Sequence, residues 1–283
     1  MNTNCLHFSK MQGIGNDYVY VNGFAEIVEN KSQAAIYVSD RHFGIGSDGL
    51  IFINPSNVAD FEMEMYNSDG SRAEMCGNGI RCVAKYVYDR EMTDKTEFTI
   101  ETLAGIKTVQ ITEFNHKAME ICVNMGRPVL KAVEIPIMSD NSEVLNEEIL
   151  VAGKQYRMTG VSMGNPHVVI YMDSIEQLQI EKLGPLFECH DRFPRKINTE
   201  FVHVIDHKTV QMRVWERGAG ETLACGTGAC AVTVASILNG LTDREITVKL
   251  LGGELKINWN QKDGCVYMTG PAEFVFDGEI ILP

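Results

Sequence analysis

The same run of residues occurs twice in this chain, 149 positions apart, and that repetition constrains the fold more than any other feature. MCGNGIRCVAKYV sets Cys76 before Gly77, Asn78 and Gly79, and LACGTGACAVTVAS sets Cys225 before Gly226, Thr227 and Gly228. The offset holds upstream without a gap. Asn16 in GIGNDYVYV pairs with Asn165 in SMGNPHVVI, and Tyr66-Asn67 pairs with Trp215-Glu216. Such a chain is two like halves, each bringing one thiol in the same local setting, and two like half-sites point to one shared site.

Local patterns put the repeat on secondary structure. In the first half strands are expected at 18–24, 49–54 and 60–66, with a short helix at 32–42. After Cys76, the apolar positions Ile80, Val83, Ala84 and Val87 recur at helical spacing. EFTIETLAGIKTVQITEF reads as a hairpin turned by Ala104-Gly105. The second half repeats the order: a helical pattern at 175–189, strands EFVHVI and VQMRVWE, a helix after Cys225 ended by Asn239-Gly240, and a hairpin turned at Gly252-Gly253. Many short strands around few helices predict an α+β protein of two pseudo-symmetric domains. Each is a mostly antiparallel rolled sheet, with an apolar helix, CVAKYV or CAVTVASIL, lying inside it. The expected domains are 1–126 plus 271–283, and 127–270, with the last segment returning to pair with the first. At 283 residues and 45% hydrophobic positions, two cores can be filled.

A formal net charge of −13, with no Lys/Arg block, argues against nucleic acid or an anionic membrane as partner and leaves a small molecule. The start, MNTNCLHFSKMQ, has no charged segment leading into an apolar run, and no stretch approaches the roughly 20 apolar residues of a membrane span. A soluble cytoplasmic protein is expected. The eight cysteines then stay thiols. Cys76 and Cys82, or Cys225 and Cys230, are not spaced as zinc ligands, so no metal is expected. The other six cysteines read as buried small hydrophobes or incidental surface thiols. GIGND and HFGIGSDG are glycine-rich, but neither leads at once into a helix with an acidic residue at dinucleotide-binding distance.

Cys76 and Cys225 each sit where a glycine-rich turn becomes a helix. The positive helix end there favours thiolate and can bring a cysteine pKa down from about 8.5 to somewhere between about 3.5 and 7.5. The amides of Gly77, Asn78, Gly226 and Thr227 are placed to hold a carboxylate. A carboxylate lodged there, with sulfur on each face of its α-carbon, is the arrangement for taking a proton from one side and returning one to the other. Inversion needs two bases, because a single base returning its proton to the same face regenerates the starting isomer. No lysine sits in a motif that would anchor pyridoxal phosphate, so no cofactor is expected. The bland alternative makes both cysteines packing residues at helix starts; another makes them a redox pair.

NSDGSRAEMCGNGIRC, MGNPH and WERGAGETLACGTGA resemble the diaminopimelate epimerase family, and the resemblance runs from GIGNDYV to TGPAEFVFDG. It implies two similar domains, each a rolled sheet around a central helix with the site in the cleft, and epimerisation of LL- to meso-diaminopimelate without pyridoxal phosphate. It further implies a role in lysine and peptidoglycan precursor synthesis, and a homodimer. By matching position, Cys76 and Cys225 are the acid/base pair, and the amides of Gly77, Asn78, Gly226 and Thr227 grip the reacting carboxylate. Asn16, Asn67, Asn165, Asn198 and Arg217 would hold the substrate, the last four chiefly its distal end, while Glu216 and His167 orient the amine and tune the thiols. Some members carry glutamine where this chain has Gly49, so that position is left out of the site. Rival readings are a racemase for another amino acid, of histidine or proline type, and a non-catalytic amino-acid-binding protein.

Overall fold

The computed structural model describes residues 5–283, so the first four residues of the MNTNCLHFSKMQ start lie outside it. The chain divides into two compact units, one running up to Val123 and resuming over Gly270–Pro283, the other spanning Asn124–Thr269.

The first unit contains β1 (Cys5–Gly13), β2 (Asn16–Asn22), α1 (Lys31–Ser39), β3 (Gly49–Asn54), β4 (Phe61–Asn67), β5 (Arg72–Ala73), α2 (Gly77–Asp89), β6 (Glu97–Glu101), β7 (Lys107–Phe114) and most of β8 (Lys117–Gly126). The second contains β9 (Glu147–Val151), β10 (Lys154–Ser162), β11 (Pro166–Tyr171), α3 (Ile180–Glu188), β12 (Asn198–Asp206), β13 (Thr209–Glu216), β14 (Gly220–Thr222), α4 (Gly226–Leu238), β15 (Glu245–Leu250), β16 (Gly253–Trp259) and β17 (Val266–Gly270). The final strand, β18 (Glu273–Ile281), returns to the first unit and pairs antiparallel with β1, His7 opposite Glu279. α1 and α3, and α2 and α4, are related residue for residue by the 149-position offset.

Both units follow one pairing scheme. In the first, β2 lies antiparallel to β1 and parallel to β3, β3 antiparallel to β4, and β4 parallel to β6. In the second, β11 lies antiparallel to β10 and parallel to β12, β12 antiparallel to β13, and β13 parallel to β15. The central helices pack on their own sheets, α2 against β1, β2 and β7, and α4 against β10, β11, β12, β15 and β16. This mixed, sheet-dominated α+β architecture is the predicted class.

The predicted helical face of α2 is the buried one, with Ile80, Val83, Ala84 and Val87 fully covered. Ile80, Val83 and Val87 each contribute roughly 1.5–3 kcal/mol by leaving water, and the methyl of Ala84 about 0.8 kcal/mol. α4 is covered nearly all round, as its run of small and β-branched residues requires. Two boundaries differ from the sequence reading. α1 stops at Ser39, short of residue 42, because the Asp40 carboxylate accepts the N–H groups of His42 and Phe43 and folds them into a turn. α3 begins at Ile180 because residues 175–178 form a turn closed by Leu178 N–H donating to the Ile175 carbonyl.

Candidate active site

Each candidate cysteine is the N-cap of its central helix. Cys76 has extended backbone (φ −128°, ψ 119°) ahead of α2, and Cys225 the same (φ −119°, ψ 107°) ahead of α4. Gly79 and Gly228, three residues after them, sit in crowded positions. A Cβ on Gly79 would lie 2.9 Å from Ile51 and 3.3 Å from the Cys76 Cβ; one on Gly228 would lie 2.7 Å from Glu200 Oε1 and 3.3 Å from the Cys225 sulfur. Gly77 and Gly226 open the helices, both buried, with their N–H groups at the positive end.

In the first unit, Cys76 Sγ accepts the Gly79 N–H (3.3 Å) and its S–H donates to Asn16 Oδ1 (3.1 Å). The amide of Asn16 donates to Asp48 Oδ2 (2.7 Å), which also accepts the Asp17 N–H (3.1 Å). Burial first, and the Asp17 carboxylate second, push the Asp48 acid above its ordinary range. This is the structural use of the two glycine-rich segments that did not fit a nucleotide. GIGND makes the β1–β2 turn, with Gly15 at φ 89°, and HFGIGSDG delivers Asp48 to Asn16. Asn67 ends β4, half-buried, with its amide donating to Ser71 Oγ.

In the second unit, Cys225 is 5% exposed, and Thr227 Oγ1 lies 3.5 Å from its sulfur. Asn165 Nδ2 donates to Thr227 Oγ1 (3.2 Å), and Asn165 Oδ1 lies 3.0 Å from His167 Nε2. His167 Nδ1 lies 2.7 Å from Glu200 Oε1, and both side chains are fully buried. Glu216, at the end of β13, accepts from the Thr222 hydroxyl. Burial dominates in raising its acid above the usual carboxylate range, against the opposing bonds from Thr222 and Cys225. Asn198 is buried and committed to backbone, accepting the Arg217 N–H (2.9 Å) and donating to the Pro166 carbonyl (2.7 Å). Arg217 is exposed and donates to the Arg195 carbonyl.

One expectation is reversed. A helix N-terminus was expected to lower both thiols, but Cys225 is pushed well up, first by burial and then by the Glu216 and Glu200 carboxylates, which outweigh the Thr227 hydroxyl. The structure brings Asn16 to Cys76, and it brings Asn165, His167, Glu216 and Thr227 together around Cys225. Sequence reasoning missed Asp48, Glu200 and Thr222. The 149-position alignment pairs Glu200 with Ile51, and a charged residue opposite an apolar one in a buried strand was the available signal.

Solved structures share this fold at low sequence identity. The hydroxyproline epimerase of Agrobacterium vitis matches with a TM-score of 0.69 at 12% identity, covering 98% of this chain and 91% of its own. A PhzF-family phenazine biosynthesis protein of Bacillus anthracis matches with a TM-score of 0.68 at 16% identity, covering 98% and 99%. At such identities the likeness defines the fold. Sequence goes further: the diaminopimelate epimerase family model matches residues 8–131 and 159–275. The chain is 59% identical to the diaminopimelate epimerase of Methanococcus maripaludis over 275 residues, covering 97% of this chain and 99% of that one. It is also 59% identical to that of Acetivibrio thermocellus over 277 residues, covering 98% and 99%. The chain belongs to the diaminopimelate epimerase family, a family of isomerases.

Proposed function

We propose that this protein epimerises LL-diaminopimelate to meso-diaminopimelate with Cys76 and Cys225 as paired acid and base, using no cofactor. The observation that carries the reading is the equivalence of the two cysteines. Each caps a buried helix of 13 residues, 149 positions apart, and each is held by an asparagine-based hydrogen-bond network.

The substrate α-carboxylate binds the amides of Gly77, Asn78, Gly226 and Thr227, and one thiol stands on each face of the α-carbon. The cysteine in thiolate form takes the α-proton. The electron pair left on carbon is delocalised into the carboxylate, where the helix amides stabilise it. The opposite thiol then delivers its proton to the other face and becomes the thiolate. Atoms and charge balance, and the two sulfurs end with exchanged protonation states. Burial and the neighbouring carboxylates raise the Cys225 thiol, which suits it to the proton-donor role. Asn16, Asn67, Asn165, Asn198 and Arg217 hold the substrate, and Glu216 and His167 orient the amine and adjust Cys225.

The same reading places the enzyme in lysine and peptidoglycan precursor synthesis, in the cytoplasm, as a homodimer of two-domain protomers. Among the described residues no helix is long and apolar enough to cross a membrane.

The test is incubation of the reduced protein with LL-diaminopimelate in D2O without pyridoxal phosphate. Meso product carrying deuterium at one centre is expected, with C76S and C225S each losing turnover by at least about 10³-fold. Retained epimerisation in either variant would end the two-base reading. Exchange with histidine or proline but not diaminopimelate would move the protein to another racemase specificity, and binding without exchange would make it a binding protein.

A further inference from the structure

Outside the candidate active site, one group of side chains combines the donors that bind transition metals. Cys5 and His7 lie two residues apart on β1, so both point to the face opposite the buried Leu6 and Phe8. Glu279 on β18 stands directly across from His7 in the antiparallel ladder. The Cys5 sulfur, a ring nitrogen of His7 and a carboxylate oxygen of Glu279 all lie within 4.8 Å of one another. Local spacing could not reveal the group, because Glu279 is 274 residues from Cys5 and arrives only with the return of β18.

The separations suit a tetrahedral ion. Bonds of about 2.3 Å to sulfur and about 2.0–2.1 Å to nitrogen and oxygen put tetrahedral ligands about 3.3–3.5 Å apart. Here Cys5 Sγ is 3.8 Å from Glu279 Oε2, and His7 Nε2 is 3.6 Å from the same oxygen. The remaining edge, sulfur to nitrogen, is within 4.8 Å, and small rotations close it, since the His7 and Glu279 side chains are 67% and 70% exposed. His7 is already oriented for the task. Its Nδ1 lies 2.9 Å from Glu26 Oε1, and a carboxylate has no donor to offer, so Nδ1 carries the hydrogen and Nε2 is the nitrogen left for a metal. A carboxylate on the far nitrogen is the usual second partner of a metal-bound histidine. Charge favours a cation as well. Neither Glu26 nor Glu279 has a lysine or arginine partner among the described residues, and partial desolvation followed by these two carboxylates, Glu279 first, pushes the Cys5 thiol above its ordinary value.

We propose that Cys5, His7 and Glu279 form a binding site for a zinc-type divalent cation, with Glu26 holding His7 in place and the fourth position left to water. Thiolate and imidazole beside a carboxylate select zinc-class ions over magnesium and calcium, which take oxygen ligands. On binding, the Cys5 S–H bond breaks, its proton leaves to solvent and the sulfur bonds to the metal. The ion clamps the last strand of the chain to the first. These residues stand on β1 and β18, apart from the helix starts that carry Cys76 and Cys225.

Cobalt(II) is the probe, because thiolate coordination gives it a charge-transfer band and tetrahedral geometry gives it intense visible absorption. The reduced full-length protein carrying C76S and C225S, which removes the two thiols of the proposed mechanism, should take up one cobalt ion per chain with both features, and zinc should displace it. Adding C5S should abolish the charge-transfer band. H7Q and E279Q should each weaken cobalt and zinc affinity by at least about 100-fold, and E26Q, one step from the metal, by about 10-fold. In the same background zinc should raise Tm by a few degrees, and should no longer do so after C5S. A charge-transfer band that survives C5S overturns the proposal, as does zinc affinity within about twofold of the parent in H7Q, or no cobalt uptake at all. None of these readings uses substrate, so they stand or fall separately from the epimerase assignment.

Discussion

Replacement of Gly49 by alanine tests whether the first strand of this site is as tightly built as the geometry indicates. A Cβ at position 49 would lie 2.1 Å from the Tyr66 carbonyl oxygen, 2.8 Å from Tyr18 Cε1 and 3.2 Å from Asn67 Cα. The nearest atom is backbone, so relief requires β3 and β4 to separate by about 1 Å where Gly49 faces Asn67 in the ladder. Overpacking of this kind costs about 1–3 kcal/mol and one weakened ladder hydrogen bond about 1 kcal/mol, while the stiffer unfolded chain returns about 0.7 kcal/mol. The net is about 2 kcal/mol, a fall of roughly 4–8 °C in Tm at about 2–4 °C per kcal/mol. Scanning calorimetry on G49A measures it, and the displaced Asn67 should lower kcat/KM in the same variant. A Tm within 1 °C of wild type would show that the strand pair adjusts freely, and the account would fail.

Two further outcomes follow from charge. The Glu216 carboxylate is second only to burial in raising the Cys225 thiol, so E216Q should move the alkylation midpoint of Cys225 to lower pH and leave that of Cys76 unmoved; an upward shift would contradict the assignment. Asp60 is held down at about 2, first by Lys95 and then by the Thr99 N–H. A depressed carboxylate stabilises the fold above its unfolded pKa of about 3.9, and that contribution is lost as pH falls through about 2. With Lys95 exposed the effect is on the order of 1 kcal/mol. D60N should therefore melt a few degrees below wild type at pH 7 and converge with it near pH 2; an equal gap at both pH values would refute the linkage.

The duplication made much of this protein legible in one dimension. Short-range patterns place α2 and α4, the Gly105 and Gly253 turns and the cysteine N-caps, because caps, glycine turns and helical periodicity depend on neighbouring residues alone. The return of β18 to β1 was legible from length: the segment past Gly270 is too short for a core of its own. The electrostatics of the thiols were not legible in the same way. Both cysteines stand at helix ends, which taken alone lowers a thiol, and only the depth of burial and the approach of Glu200 and Glu216 decide that Cys225 is raised. Those residues come from three different elements, and nothing local in the sequence specifies their distances.

The sequence by itself determined the twofold repeat, the α+β class and the family, since each depends on residue order along the chain. Tertiary structure alone decided which way each of two equivalent asparagines points. A side-chain amide takes its orientation from the partners folding brings to it, here Asp48 for Asn16 and the buried Glu200–His167 pair for Asn165.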